Sequence, residues 1–239
     1  MVTIPRQFNG PPASGNGGWV SGLIAAARLA QDPRGPVTAR LRMPPPLETP
    51  LAWEHAPQES RLETHGGAVV GTATTGSFVR EAPPFVDASG VEAGLAAYPG
   101  FHTHPFDQCF TCGTDREEGD GLRIFSGPIG NGLTAAPWHV HAGFDDGDGQ
   151  VGVPVTWAAL DCPGGWAADF SVQPMLLGTM TAEVLSAPQV GRTYHCVGRL
   201  AATEGRKFFT DTAVYTPDGE LVGRAEQIWI QVDLASHSG

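Results

Sequence analysis

Gly17-Gly18-Trp19-Val-Ser-Gly-Leu-Ile-Ala-Ala-Ala27 is a run of small and apolar residues, and its first three residues recur as Gly164-Gly165-Trp166. A second pair of segments repeats in the same order, because Gly67-Ala-Val-Val-Gly-Thr-Ala73 is echoed by Gly219-Glu-Leu-Val-Gly-Arg-Ala225. Both repeats are about 150 residues apart, which is too long for a solenoid. The sequence therefore predicts a duplicated unit whose halves pair about a pseudo-two-fold axis, with a site where they meet.

The composition is that of a globular protein with an acidic surface. The 239 residues are 41% hydrophobic, and 25 Asp and Glu outnumber 14 Lys and Arg, giving a net charge of −11. Because no basic cluster is present, we expect neither nucleic acid nor a membrane surface as a partner. We see no signal peptide and no apolar run of membrane-spanning length, and four cysteines do not make a disulfide framework. These features favour a cytoplasmic protein.

Hydrophobic periodicity predicts one helix followed by four strands in each half. The first half is expected to hold a helix over 17–29 and strands over 36–43, 51–55, 61–64 and 68–79. The second half is expected to hold a helix over 156–168 and strands over 175–185, 192–203, 207–216 and 220–232.

This pattern predicts an α+β fold of the double hotdog type, in which two antiparallel sheets each wrap a central helix. A single such sheet leaves an exposed edge, and joining the two sheets edge to edge covers it. We place the N-terminal half at 1–98 and the C-terminal half at 99–239, the latter with an inserted Cys-x-x-Cys loop.

Several segments resemble hot dog thioesterases. Tyr215-Thr-Pro-Asp-Gly-Glu-Leu-Val-Gly-Arg-Ala-Glu-Gln227 closely resembles the last hairpin of acyl-CoA thioesterase II, a double-hotdog enzyme, and Gly17-Gly-Trp-Val-Ser-Gly22 resembles the start of that family's first helix. Cys109-Phe-Thr-Cys-Gly113 through Phe125, followed by Trp157 to Asp161, is similar to the opening of PaaI-like thioesterases. The resemblance covers most of the chain. It implies hydrolysis of an acyl-CoA thioester to free acid and CoA, with no cofactor.

The resemblance also implies site residues. The acyl-CoA thioesterase II site uses an Asp early in the second helix, a Thr on the next strand and a Gln on the last strand, which resemble Asp161, Thr179 and Gln227. Asp161 would activate a water that the other two side chains hold in place. Backbone N–H groups of Gly164 and Gly165, at a helix start, would polarise the thioester carbonyl.

Ordinary roles remain open at these positions. An Asp before a helix is often only a cap, and a strand Thr often only packs. Thr181 points to the same side of its strand as Thr179 and is the alternative for that role. Pro163 comes two residues after Asp161, where a continuous helix would be kinked or would only be starting.

Only the second half is expected to carry the chemistry. The first half has Ser14 or Asn16 at the place equivalent to Asp161. We therefore expect one active site per chain, with the first Gly-Gly-Trp as scaffold.

The segment before the second half contains four candidate metal ligands, His102, His104, Cys109 and Cys112. Cys-x-x-Cys is half of a zinc site, and histidine is the other common ligand. The spacing is compact, however, and a second Cys-x-x-Cys is missing. We favour an ordinary loop without metal over a structural zinc site or a redox dithiol.

Two other functions remain as alternatives to the hydrolase. A catalytically silent acyl- or acyl-CoA-binding protein would share every feature above. A hotdog dehydratase or hydratase needs a histidine shortly after the Asp, and the residues from Cys162 to Ala168 contain none. Acyl-CoA is the expected partner, and association of several double-hotdog chains is left open. The basic residues that could meet CoA phosphates are Arg192, Arg199, Arg206 and Lys207.

Overall fold

Two units of one helical region and four strands follow one another along the chain, as the repeat predicts. The structure, a computed structural model, describes residues 1–233. The first unit contains α1 (Gly17–Leu29), β1 (Val37–Leu41), β2 (Leu51–Ala56), β3 (Glu59–Thr64) and β4 (Val69–Thr75). A connecting region contains α2 (Ala88–Ala96), β5 (Gly127–Gly130) and β6 (Leu133–His139). The second unit contains α3 (Val153–Ala159), α4 (Cys162–Ala167), β7 (Met175–Val184), β8 (Thr193–Glu204), β9 (Lys207–Tyr215) and β10 (Leu221–Gln231).

The ten strands of residues 1–233 form one antiparallel sheet in the order β2-β3-β4-β1-β7-β10-β9-β8-β6-β5. Read towards the joint between the halves, the first half has the order β2-β3-β4-β1 and the second has β8-β9-β10-β7. Each half therefore has the same internal strand order. The halves join where β1 pairs with β7, and a hydrogen bond of 2.7 Å links the hydroxyls of Thr38 and Thr181 across this joint. The predicted double hotdog is confirmed, and the edge-to-edge pairing makes its two sheets continuous.

The small residues of α1 allow it to approach the second half closely. Asn16 caps the helix, because its side-chain oxygen accepts the Trp19 N–H at 2.8 Å. At Gly22, a Cβ atom would lie only 2.7 Å from both Pro154 Cα and Trp157 Cβ of α3. The glycine therefore lets α1 and α3 pack in contact, while α1 also covers β1, β3 and β4 of its own half.

The second helical region differs from the sequence prediction. A continuous helix over 156–168 is wrong, because the structure has two short helices with Leu160 and Asp161 between them. Pro163 lies in the first turn of α4, where the missing N–H leaves no helical hydrogen bond unmade. Asp161 is the N-cap residue of α4, but its side chain makes no capping hydrogen bond to that helix.

Helix α2 and the β5–β6 hairpin were not predicted as regular elements. β6 pairs with β8 and extends the sheet beyond the duplicated unit. Gly127-Pro-Ile-Gly130 is short and rich in turn residues, so it lacks the alternating pattern by which strands are recognised. The other predicted helix and strands agree with the structure in type and to within a few residues in extent.

The connection after β4 crosses one face of the second half's strands. The backbone N–H groups of Val79 and Arg80 bind the Glu226 carboxylate at 2.9 and 2.6 Å. Asp211 is buried and pairs with Arg80 at 2.6 Å and with Arg199 at 2.7 Å. We call the face that this connection covers the outer face of the sheet. No helix among residues 1–233 is long and apolar enough to cross a lipid bilayer.

Candidate active site

A cavity of about 250 Å³ lies where the two halves meet. Its walls come from the start of α1, the segment 41–45 after β1, the break between α3 and α4, and the adjoining parts of β7 and β10. Most of the side chains around it are apolar, including Leu41, Met43, Phe106, Phe170, Met175, Leu176, Leu177, Trp229 and Ile230. The cavity therefore lies between the two halves, where the repeat predicts a site.

Asp161 is the acidic residue at this cavity, and its side chain is almost completely buried. Its Oδ2 atom accepts the Gly18 N–H at 2.9 Å, so the second half's carboxylate binds the first turn of α1. A Cβ atom at Gly18 would lie 2.4 Å from Asp161 Cβ, so this approach requires glycine. Within residues 1–233, Oδ1 has no hydrogen-bond partner. One carboxylate oxygen is held by a backbone N–H, and the other is buried without such a bond from the described residues.

The surroundings of Asp161 change its acidity. Burial raises the pKa of this carboxyl to about 8, because the charged form loses water. The Gly18 N–H and the nearby Asn16 side chain oppose that rise, since both favour the carboxylate. With a pKa of about 8 the carboxyl is mostly protonated at neutral pH, so the carboxylate that can accept a proton becomes the main form only above about pH 8.

Gln227 lies beside the helix break and is also buried, but its amide is fully engaged. Nε2 donates to the backbone carbonyls of Leu160 at 2.7 Å and Asp161 at 3.0 Å. Oε1 accepts from the hydroxyl of Thr210 at 2.8 Å and from the indole N–H of Trp229 at 3.2 Å. The structure thus brings Gln227 to Asp161 as a support for its backbone.

Thr179 is not brought to this group. On β7, Met180 lies opposite Gln227, and Thr179 lies opposite the next residue, Ile228. Directly opposed residues share a face of the sheet, so Thr179 lies on the face opposite to Gln227. Thr181 also lies on that outer face, where it bonds Thr38. The hydroxyl that contacts Gln227 belongs to Thr210 on β9.

Gly164 and Gly165 pack against the sheet behind the break. A Cβ at Gly164 would lie 1.9 Å from Gln227 Oε1 and 2.5 Å from the Thr210 hydroxyl. At Gly165 it would meet the Trp229 ring at 3.3 Å. The Gly164 N–H bonds the Asp161 carbonyl at 3.2 Å, so it is already used within the turn. Neither glycine lines the cavity.

Comparison with solved structures identifies the fold. A candidate thioesterase from Novosphingobium aromaticivorans is 12% identical and superposes with a TM-score of 0.61, covering 97% of this chain and 94% of that one. A protein of unknown function with a hot dog fold, from Alicyclobacillus acidocaldarius, is 14% identical with a TM-score of 0.61, covering 97% and 92%. The chain has the hot dog fold. The resemblance to hot dog thioesterases seen in the sequence is confirmed at this level.

A third hot dog structure agrees over the same length. A candidate oleoyl thioesterase from Lactobacillus plantarum is 10% identical with a TM-score of 0.59, covering 97% of this chain and 95% of that one. No protein-family model matches the sequence, and no curated protein matches it significantly. At these identities the comparisons speak for the double-hotdog architecture, and function rests on the residues of this chain.

The first half supplies residues of the cavity wall, although the sequence predicts its Gly-Gly-Trp to be scaffold. Gly17 begins α1 at the cavity wall, and its N–H is one of the first-turn groups that lack an intrahelical partner. Gly18 binds Asp161, and Asn16 caps the helix. The signal was present in the sequence, because a capping Asn before two glycines marks a helix start that a ligand can approach closely.

Cysteine residues also reach the cavity. Cys109 and Cys162 both line it, and their sulfur atoms are 3.7 Å apart. The four candidate ligands His102, His104, Cys109 and Cys112 do not all come together, although the two cysteines do. His102 is exposed, whereas the His104 ring binds the backbone of Phe106 and Cys112.

Proposed function

We propose that this chain is a thioesterase that hydrolyses an acyl-CoA to the free acid and CoA. The observation that carries the proposal is the buried Asp161 carboxylate at the apolar cavity between the halves, with one oxygen held by Gly18 and the other unpartnered within residues 1–233. An apolar cavity with few polar groups is typical of a site that positions an acyl chain against a reacting group.

In the proposed reaction, Asp161 Oδ1 accepts a hydrogen bond from a water molecule beside the thioester carbonyl carbon. The water oxygen attacks that carbon while its proton passes to the carboxylate. The N–H of Gly17, at the start of α1, stabilises the negative charge that develops on the carbonyl oxygen. Collapse of the tetrahedral intermediate breaks the C–S bond and releases the acid and the CoA thiolate. The thiolate then takes a proton from Asp161 or solvent.

The nature of the leaving group decides whether the site needs a general acid. A thiol has a pKa of about 8.5, so the thiolate departs without a strong general acid. Among the described residues, no histidine lines the cavity, and the proposed hydrolysis does not need one. The same feature disfavours a dehydratase or hydratase that depends on a histidine after the Asp.

The remaining residues take supporting parts in this proposal. Gln227 positions Asp161 by binding the two carbonyls at the helix break. Arg42 is exposed and belongs to the cavity wall, so it could meet a CoA phosphate, whereas Arg199 is engaged with buried Asp211 on the outer face. We assign no catalytic part to Thr179, Gly164 or Gly165.

The alternative is a silent acyl-binding protein. The Asp161–Gly18 bond favours it, because the carboxylate caps α1 and would do so in a protein without activity. The decisive experiment mixes the purified full chain with acyl-CoAs of increasing chain length and measures free thiol. Release well above the uncatalysed rate supports the thioesterase. Saturable acyl-CoA binding without thiol release at any chain length supports the silent protein.

A further inference from the structure

Three buried cysteines from separate parts of the sequence converge next to the cavity. Cys109 and Cys112 come from the loop that precedes β5, and Cys162 begins α4. Their sulfur atoms all lie within 4.8 Å of one another, and those of Cys109 and Cys162 are 3.7 Å apart. Each of the three is at least 96% buried, since their exposed fractions are 3%, 0% and 4%.

The spacing of these sulfur atoms is that of a metal site. Zinc binds thiolates at about 2.3 Å in a tetrahedron, which places neighbouring sulfur atoms about 3.8 Å apart. The Cys109–Cys162 distance already matches this edge, and the limit of 4.8 Å requires only a small contraction elsewhere. The three thiols therefore lie close to the spacing that one tetrahedral ion requires.

The sulfur of Cys109 also meets a polar donor inside the protein. The side-chain amide of Asn16 donates to it at 3.6 Å, while the oxygen of the same amide caps α1. A donor directed at a buried sulfur is the kind of contact that orients a metal-binding thiolate, so it fits a metal site beside the cavity.

The loop geometry also fits a ligand pair. Gly113 follows Cys112, and a Cβ there would lie 2.5 Å from the Asp107 carbonyl and 2.6 Å from that of Cys109. Glycine thus allows the tight turn that directs both cysteines of Cys-x-x-Cys to one point, a spacing common in zinc sites. The buried indole N–H of Trp166, which has no hydrogen-bond partner among residues 1–233, lies near Cys112.

We propose that Cys109, Cys112 and Cys162 bind a zinc ion. The ligand set differs from the one that the sequence brought to attention, because Cys162 takes the place of the two histidines. The fourth position of the tetrahedron is left to water from the cavity, which Cys109 and Cys162 border. Each thiol that coordinates releases its proton to solvent.

The proposed ion joins two segments that are distant in sequence. It ties the loop of Cys109 and Cys112 to the first residue of α4, directly after Asp161. Metal binding therefore stabilises the helix break on which the cavity depends. The inference concerns metal content and stands apart from the thioesterase proposal.

The test measures the metal in the untagged full-length protein by inductively coupled plasma mass spectrometry. We expect about one zinc per chain, and at least a tenfold loss of bound zinc in Cys109→Ser, Cys112→Ser and Cys162→Ser. Cys196→Ser is the matched control, because Cys196 is equally buried but lies on β8 outside the cluster. His102→Ala is expected to keep its zinc as well.

A second measurement covers the case in which the serine variants do not fold. The wild-type chain, stripped of metal under reducing conditions, is titrated with Co²⁺, and intense sulfur-to-cobalt charge-transfer absorption in the near ultraviolet is expected at one ion per chain. Zinc should then displace the cobalt. Absence of both bound zinc and the cobalt band would overturn the proposal, as would full zinc retention in a folded Cys162→Ser chain. A mass loss of two hydrogens that maps to a Cys109–Cys162 disulfide in the metal-free native protein would replace it with a redox pair.

Discussion

Asp161 of the second half accepts the N–H of Gly18 of the first half at 2.9 Å, so a carboxylate from one copy of the repeat is held by the helix start of the other. The two halves approach each other closely here, since a Cβ at Gly18 would lie 2.4 Å from Asp161 Cβ and 2.8 Å from the Trp157 carbonyl oxygen. The two copies therefore contribute different groups to this contact.

Replacing Gly18 with alanine should disrupt this contact. The added methyl group must push α1 away from the helix break, and overpacking of this kind costs about 1–3 kcal/mol of unfolding free energy. Thermal and urea unfolding followed by circular dichroism measures the loss. Gly66→Ala is the control, because the nearest atom to its Cβ is 3.8 Å away. Equal stability of the two variants would contradict the packing described.

Gln227→Leu should destabilise the protein by about 1–3 kcal/mol, because the change leaves the buried hydroxyl of Thr210 and the indole of Trp229 without their shared acceptor. It also removes the support of the Leu160 and Asp161 carbonyls, so kcat should fall more than KM rises. Urea unfolding and acyl-CoA kinetics measure both effects. Gln231→Leu on the same strand is the control. If the Gln227→Leu variant is as stable and as active as this control, Gln227 does not position Asp161.

Substitutions of Thr179 and Thr210 form a matched pair that tests the two faces of the sheet separately. Thr210→Val removes the hydroxyl that binds Gln227 and should cost about 1 kcal/mol, with lower activity. Thr179→Val changes a side chain on the outer face and should leave kcat within about twofold of wild type, since surface changes are usually small. A large loss of kcat in Thr179→Val but not in Thr210→Val would show that Thr179, and not Thr210, belongs to the site.

Much of the fold follows from local sequence patterns. The alternating strands of both halves and the all-apolar α1 carry clear periodic signals, and the repeated Gly-Gly-Trp relates one half to the other. The break at Asp161 follows from long-range contacts instead: Gln227 binds the Leu160 and Asp161 carbonyls from a strand more than sixty residues later. Local propensity around Pro163 indicates only that a helix starts or kinks there.

The candidate site could be predicted from the sequence only in part, again because it depends on long-range contacts. Asp161 and Gln227 could be placed by resemblance, and both adjoin the helix break. The face of Thr179 depends on an irregularity in the β7–β10 register near Gly178, where the pairing shifts between Ile228 and Trp229. Such an irregularity inverts the alternation on which the sequence prediction relied. The convergence of Cys162 with Cys109 and Cys112 is a tertiary contact that no spacing rule reveals.

The cavity should set the length of acyl chain that the protein accepts. Leu176→Trp places a large ring in the cavity wall, so kcat/KM for long acyl-CoAs should fall about tenfold or more while short acyl-CoAs are less affected. Thiol release across a chain-length series measures this change in preference. Val172→Trp is the control, because Val172 is exposed and lies outside the cavity lining. An identical preference in both variants would place the acyl chain elsewhere.

The most direct test of the central claim is the kcat/KM of Asp161→Asn with the best acyl-CoA substrate. Asparagine keeps the size of the side chain and can still accept the Gly18 N–H, but it cannot take a proton from water. Loss of general-base catalysis should lower kcat/KM by about 10²–10⁴-fold with acyl-CoA binding retained. Asp148→Asn, in an exposed loop, should match the wild type. Undiminished hydrolysis by folded Asp161→Asn would contradict the account.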